Sequence, residues 1–164
     1  MDEKSLPITN VMRTLERLRI PYQPHYYGDG VTAYSGVDVA HMVGRDPACV
    51  FKTLVTVAKS GKNYVFVIPS AMELDLKKAA AAVGEKSVEM LPQKELLPLT
   101  GYVHGGCSPV GMKKQFRTVI DATCLQQSTI LVSAGKIGTQ IETEPAALKK
   151  AIPFTTADLT RTPV

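Results

Sequence analysis

The stretch that most constrains this chain is Cys49-Val50-Phe51-Lys52-Thr53-Leu54-Val55-Thr56-Val57-Ala58, followed by Lys59-Ser60-Gly61-Lys62 and a second apolar run, Tyr64-Val65-Phe66-Val67-Ile68-Pro69. Two β-rich runs joined by a short polar segment with a glycine predict an antiparallel hairpin, with strands over 49–58 and 64–69. Alternation places Lys52 on the face shared by Val50 and Leu54, and Phe51, Thr53 and Val55 on the other. Neither face reads as solvated. An ammonium held there is either paired or has its pKa lowered. It marks a functional pocket or, equally, an edge strand on which an inward lysine discourages aggregation.

The remaining chain supplies elements to pack around that hairpin. Thr9 or Asn10 caps a helix to Leu18, with Val11, Leu15 and Leu18 on one face and Arg13, Arg17 and Arg19 outward. Residues 22–27 form a short strand rich in polar aromatics. Ser35 caps a helix ending at Gly44, and Asp75 caps one from Leu76 to Val83 with Gly84 just beyond. Further strands are expected over 87–90, 100–104, 116–121, 129–133 and 140–143, a helical turn over 92–97, and a closing helix from Glu144-Pro145 to Lys150. Strands outnumber helices and occur both in hairpins and around helices. The expected fold is α+β, one domain over 1–164, with a curved, mixed or antiparallel, barrel-like sheet and flanking helices.

Composition excludes more than it assigns. No apolar run approaches the roughly 20 residues that span a bilayer, and Met1-Asp2-Glu3-Lys4 has no apolar segment behind it, so neither membrane association nor a secretory signal is expected. The three cysteines, Cys49, Cys107 and Cys124, are odd in number and lack CxxC spacing, which fits a reducing cytosol. The three histidines show no zinc-ligand spacing, and nothing points to a metal or other cofactor. A net charge of +4 permits an anionic partner such as RNA.

The segment Gly105-Gly106-Cys107-Ser108-Pro109-Val110-Gly111-Met112-Lys113-Lys114 concentrates ligand-holding groups. Gly106 and Gly111 have P-loop spacing, but Met112-Lys113 follows where Lys-Ser/Thr is required, and Pro109 removes an amide from the cradle. That rejects an NTPase and leaves a turn that binds an oxyanion or carbonyl through backbone N–H groups. Cys107, three residues after His104, reads as an alternative nucleophile, although no third orienting group is visible. Ser133, at the end of an apolar strand, projects into a pocket or bonds its own turn.

In order and spacing, Val50-Phe51-Lys52-Thr53-Leu54, Leu74-Asp75-Leu76-Lys77-Lys78, Val88-Glu89-Met90, Thr100-Gly101-Tyr102, the Gly105–Gly111 loop with Lys113-Lys114, Ile120-Asp121-Ala122 and Val132-Ser133-Ala134-Gly135-Lys136 form one set. The set resembles the YbaK/EbsC branch of the prolyl-tRNA editing family, the Cys-tRNA(Pro) deacylases, from about Val11 to about Ile152. The resemblance implies the YbaK-like fold, a cytoplasmic location, and trans-editing that removes cysteine from mischarged tRNA(Pro), and also from tRNA(Cys). The cysteine thiol would attack its own carbonyl and leave as a cyclic thiolactone. It implies Lys52, Gly105 and Gly106 as the catalytic set, and Tyr27, Thr53, Ser133 and Pro109 as substrate-binding residues. It implies the acceptor end of aminoacyl-tRNA as substrate and prolyl-tRNA synthetase as a transient partner. Arg13, Lys113, Lys114 and Lys136 are candidate tRNA-backbone contacts. Gln140 stands where close relatives carry aspartate, a departure from the pattern. Two other readings stay open: a Cys107-dependent thiol hydrolase, and an RNA- or nucleotide-binding module without catalysis.

Overall fold

The computed structural model describes residues 6–163; the Met1–Lys4 segment considered above lies outside them. The hairpin forms as the two apolar runs require. β2 (Phe51–Ala58) and β3 (Asn63–Pro69) pair antiparallel, Lys52 opposite Ile68, and Gly61 makes the turn at φ +89°. In chain order the other elements are α1 (Asn10–Arg17), β1 (Gln23–Tyr26), α2 (Gly36–Val43), β4 (Glu73–Leu74), α3 (Leu76–Val83), β5 (Val88–Met90), α4 (Leu96–Thr100), β6 (Arg117–Asp121), β7 (Ile130–Lys136), β8 (Thr139–Thr143), α5 (Pro145–Leu148), β9 (Phe154–Ala157) and β10 (Thr160–Arg161).

The strands form a five-stranded sheet, β5-β2-β3-β6-β9, a three-stranded sheet, β1-β8-β7, and a small β10-β4 pair. The larger sheet is mixed: β5, β2 and β3 run antiparallel, whereas β3-β6 and β6-β9 are parallel. The expected α+β class and mixed sheet are therefore present. The barrel-like curvature is not one continuous sheet. Among the described residues the larger and three-stranded sheets meet through a single parallel bridge, Val50 to Leu131.

β3 is buried on both faces, which explains why its sequence is apolar without alternation. Val65 and Val67 join Phe51, Val55, Ile130, Val132, Ile141 and α1 residues Val11, Met12 and Leu15 in the core between the sheets. Phe66 and Ile68 point the other way, onto Ala79, Ala80 and Val83 of α3 and Leu159. Local chemistry sets the helix ends. The Asp75 side chain accepts from the N–H groups of Lys77 and Lys78, and Gly84 closes α3 at φ +72°. Arg13, Arg17 and Arg19 are exposed, as expected for the outer side of α1.

One expectation changes, and one strand is added. Residues 100–104 are not a strand: Thr100 ends α4, its Oγ1 donates to Leu96 O at 2.7 Å, and Gly101 turns the chain at φ +86°. Beyond the closing helix, β9 adds a fifth strand to the larger sheet. It is secured by Asp121, which is 2% exposed; its Oδ1 accepts from Leu159 N at 2.9 Å and its Oδ2 from Thr123 Oγ1 at 2.6 Å. Asp121→Ala leaves the buried Leu159 N–H without a partner and should lower unfolding free energy by about 2–3 kcal/mol. Urea unfolding should show the midpoint falling at an unchanged slope; an unmoved midpoint would contradict this role.

Candidate active site

β5 pairs with β2 only at Thr56, Val57 and Ala58, so the Lys52 end of β2 is uncovered on that side. β7 approaches β2 at the Val50–Leu131 bridge and then leaves it. Two residues further along both strands stand Lys52 and Ser133, and Ser133 lies opposite Gln140 on β8. These three side chains line a cavity of about 290 Å³ between the sheets. Tyr27, held by its N–H to Gly138 O at 2.9 Å, and Thr53 complete that side. Opposite come the start of α2, with Ser35 and Gly36, and the glycine loop, with His104, Gly105 and Cys107.

Lys52 thus combines the two readings its sequence allowed. It sits on a local edge, and that edge opens onto the cavity. It makes no ion pair or hydrogen bond among the described residues. Burial lowers its pKa, opposed by the Glu73 carboxylate. No Asp or Glu lines the cavity among the described residues. Two lining residues carry buried polar atoms with no partner, Thr53 Oγ1 and Gln140 Oε1. Gln140 Nε2 donates to Tyr27 Oη at 3.3 Å, and burial raises the Tyr27 pKa. Ser133 Oγ accepts from Gly135 N at 3.2 Å, so it serves its own turn while lining the cavity. An unpaired cation and unsatisfied polar atoms around one hollow are the mark of a site built for an occupant.

The glycine loop divides its work differently from expectation. Val103-His104-Gly105-Gly106 is a β-turn closed by Gly106 N to Val103 O at 3.0 Å. Gly105, the third residue, has φ +87°, and a Cβ there would lie 2.7 Å from Ala33 Cβ, so only glycine fits. Its N–H takes no partner among the described residues, and it lines the cavity. The Gly106 amide is already engaged; the residue is buried, with its Cβ position 3.0 Å from Ile137 N, and it does not reach the cavity wall. Pro109 is also buried behind the wall rather than in it. The structure therefore brings together Lys52, Gly105, Tyr27, Thr53 and Ser133, and leaves Gly106 and Pro109 as supports.

Cys107 and His104 line the same cavity but share no hydrogen bond, and burial pushes the thiol up to about 12. A protonated, buried thiol is a poor nucleophile, which counts against the Cys107 hydrolase reading. Cys49 and Cys124 are buried as expected. Sequence reasoning missed Ser70, whose Oγ donates to Val50 O at 2.6 Å and which a side chain on Gly36 would strike. The glycine directly after the cap Ser35 was the available signal for that close approach.

Residues 32–151 match the family model for the aminoacyl-tRNA editing domain. The chain belongs to that family. A curated relative from Enterococcus faecalis, EbsC, is 47% identical over 146 residues, 89% of each chain, and is provisionally described as a Cys-tRNA(Pro)/Cys-tRNA(Cys) deacylase. Solved structures share the fold. One provisionally described as a trans-editing enzyme for prolyl-tRNA synthetase has TM-score 0.79 at 23% identity, over 94% of this chain and 99% of that one. The hypothetical protein APE2540 has TM-score 0.82 at 22% identity, over 92% and 99%. The architecture thus matches that of YbaK-like editing domains. Among the described residues no helix is long and apolar enough to cross a membrane.

The cysteine environments are directly testable. Iodoacetamide at pH 8 should leave the intact mass of the native protein unchanged, because the raised pKa values keep the thiols protonated. The same reagent in guanidinium should add to all three cysteines. Rapid labelling of native Cys107 would contradict the buried, protonated thiol.

Proposed function

We propose that this protein is a trans-acting aminoacyl-tRNA deacylase that clears cysteine from mischarged tRNA(Pro), and also from tRNA(Cys). Membership of the editing family and 47% identity to EbsC support the class and the substrate. The observation that carries it is one cavity lined both by Lys52, unpaired among the described residues, and by Gly105, whose N–H has no partner among them. An ester carbonyl is polarised by such fixed donors.

In the proposed reaction the substrate supplies its own nucleophile. The cysteine sulfur attacks its carbonyl carbon, a C–S bond forms, and the C–O bond to the terminal ribose breaks. The thiol proton passes to the departing ribose oxygen, and the amino acid leaves as a cyclic thiolactone. Gly105 N–H points at the developing oxyanion and Lys52 stabilises the negative charge. Tyr27, Thr53 and Ser133 hold the aminoacyl end, and Gly106 and Pro109 keep the loop in shape. The protein's contribution is then a bound near-attack geometry, which can itself supply a large rate gain. Editing of this kind is needed because a small pocket discriminates related side chains by only about 1–3 kcal/mol.

The tRNA body would contact exposed Arg13, Lys113, Lys114 and Lys136. A cytoplasmic setting and a transient complex with prolyl-tRNA synthetase belong to the same reading, since the synthetase makes the mischarged substrate.

The test is deacylation of Cys-tRNA(Pro), Ala-tRNA(Pro) and Pro-tRNA(Pro). The unmutated protein should clear the cysteinyl ester and spare the prolyl ester. Lys52→Ala and Gly105→Ala should each lower kcat/KM by about 10²-fold or more, whereas Cys107→Ser should retain activity. No deacylation by the unmutated protein, or full activity in Lys52→Ala, would sink the proposal.

A further inference from the structure

Gln140 is 7% exposed and stands in the cavity wall. Its Nε2 donates to Tyr27 Oη, and its Oε1 is buried and without a partner among the described residues. The terminal torsion of a glutamine is soft, so the carboxamide can turn that oxygen towards an occupant by giving up its 3.3 Å bond to Tyr27. The titratable groups around the hollow are Lys52 from β2, Tyr27 after β1, Tyr34 before α2, and His104 and Cys107 from the glycine loop. His25, in register with Gln140 on β1, is bonded to Glu142 at 2.8 Å, and Glu73 is felt by Lys52 without lining the wall.

A second cation in this hollow would meet a half-buried lysine and no lining carboxylate. The amino group of an aminoacyl ester, like a free α-amine with pKa about 7.7–8.0, can enter near neutral pH in either charge state. An uncharged amine adds no charge beside Lys52 and donates an N–H to a neutral oxygen. Resting on the deacylase reading above, we infer that Gln140 reads the α-amine of the aminoacyl ester by accepting a hydrogen bond from it at Oε1, while the neighbouring Lys52, with no lining carboxylate, favours the amine's uncharged form. Gln140 is on this account a specificity-determining residue. It reads the amine, while Lys52 and Gly105 act on the carbonyl.

The test uses two esters of the same tRNA, cysteinyl and 3-mercaptopropionyl, the second lacking only the α-amine. The ratio of their kcat/KM values should fall about tenfold from the unmutated protein to Gln140→Leu, the size expected for one lost hydrogen bond in a buried site. Gln140→Glu supplies a carboxylate for the ammonium. It should move the rising limb of the cysteinyl pH–rate profile down by about one unit while leaving the 3-mercaptopropionyl profile in place. An unchanged ratio in Gln140→Leu overturns the inference, and so does a Gln140→Glu shift shared by both esters, which would mean action through Lys52. Failure of the unmutated protein on both esters rejects the deacylase reading itself. Equal turnover of both esters, with no dependence on Gln140, rejects the inference alone.

Discussion

The structure depends on two sheets that share a core yet, among the described residues, touch through one backbone bridge, Val50 to Leu131. Had the pairing continued past the bridge, backbone would occupy the space beside Lys52 and Ser133. It stops, the chains diverge, and side chains that would flank a ladder line a hollow instead. The register of β7 with β8 carries Gln140 to the same place. The Ser133–Lys136 irregularity lets β7 turn sharply into the tight loop that anchors Tyr27 through Gly138.

The electrostatics of that hollow follow from what is missing from its wall. Lys52 has lost water without gaining a carboxylate, which is why its pKa falls. The arrangement is unfavourable to the empty protein. It persists because β2 and β3 are fixed by apolar packing on both sides, with Val65 and Val67 in one cluster and Phe66 and Ile68 in the other. The glycine turn is fixed separately, by Gly106 N–H to Val103 O and by the close approach of Gly105 to Ala33, so the unpartnered Gly105 amide is held in position before an occupant arrives. Rigid support of a locally unsatisfied site is how binding geometry is preorganised.

What could be read from the sequence was what is decided locally. The hairpin was legible because two apolar runs and a glycine turn are neighbours in the chain. α3 was legible because Asp75 and Gly84 are its own caps. Lys52 was legible as an anomaly, but its surroundings were not, because the open edge arises from how little of β2 is paired by β5. The false strand at 100–104 arose because Thr100, Tyr102 and Val103 favour extended structure, whereas the Leu96 carbonyl and Gly101 decide otherwise. Gly105 and Gly106 are indistinguishable by residue type. One turn bond to Val103 and the distant Ile137 send the first into the cavity and the second behind it. β9 was missed because Phe154-Thr155-Thr156-Ala157 is short and half polar, and becomes a strand by pairing in parallel with β6.

The central claim is that the hollow between the sheets holds the aminoacyl end of the substrate. A crystal structure of the protein with a 3′-amide analogue of cysteinyl-adenosine, which lacks the scissile ester, tests this most directly. The account predicts the aminoacyl carbonyl oxygen within hydrogen-bond distance of Gly105 N–H, and Lys52 Nζ turned towards the same group. An analogue bound elsewhere on the protein, or bound in the hollow with its carbonyl away from both donors, would contradict it.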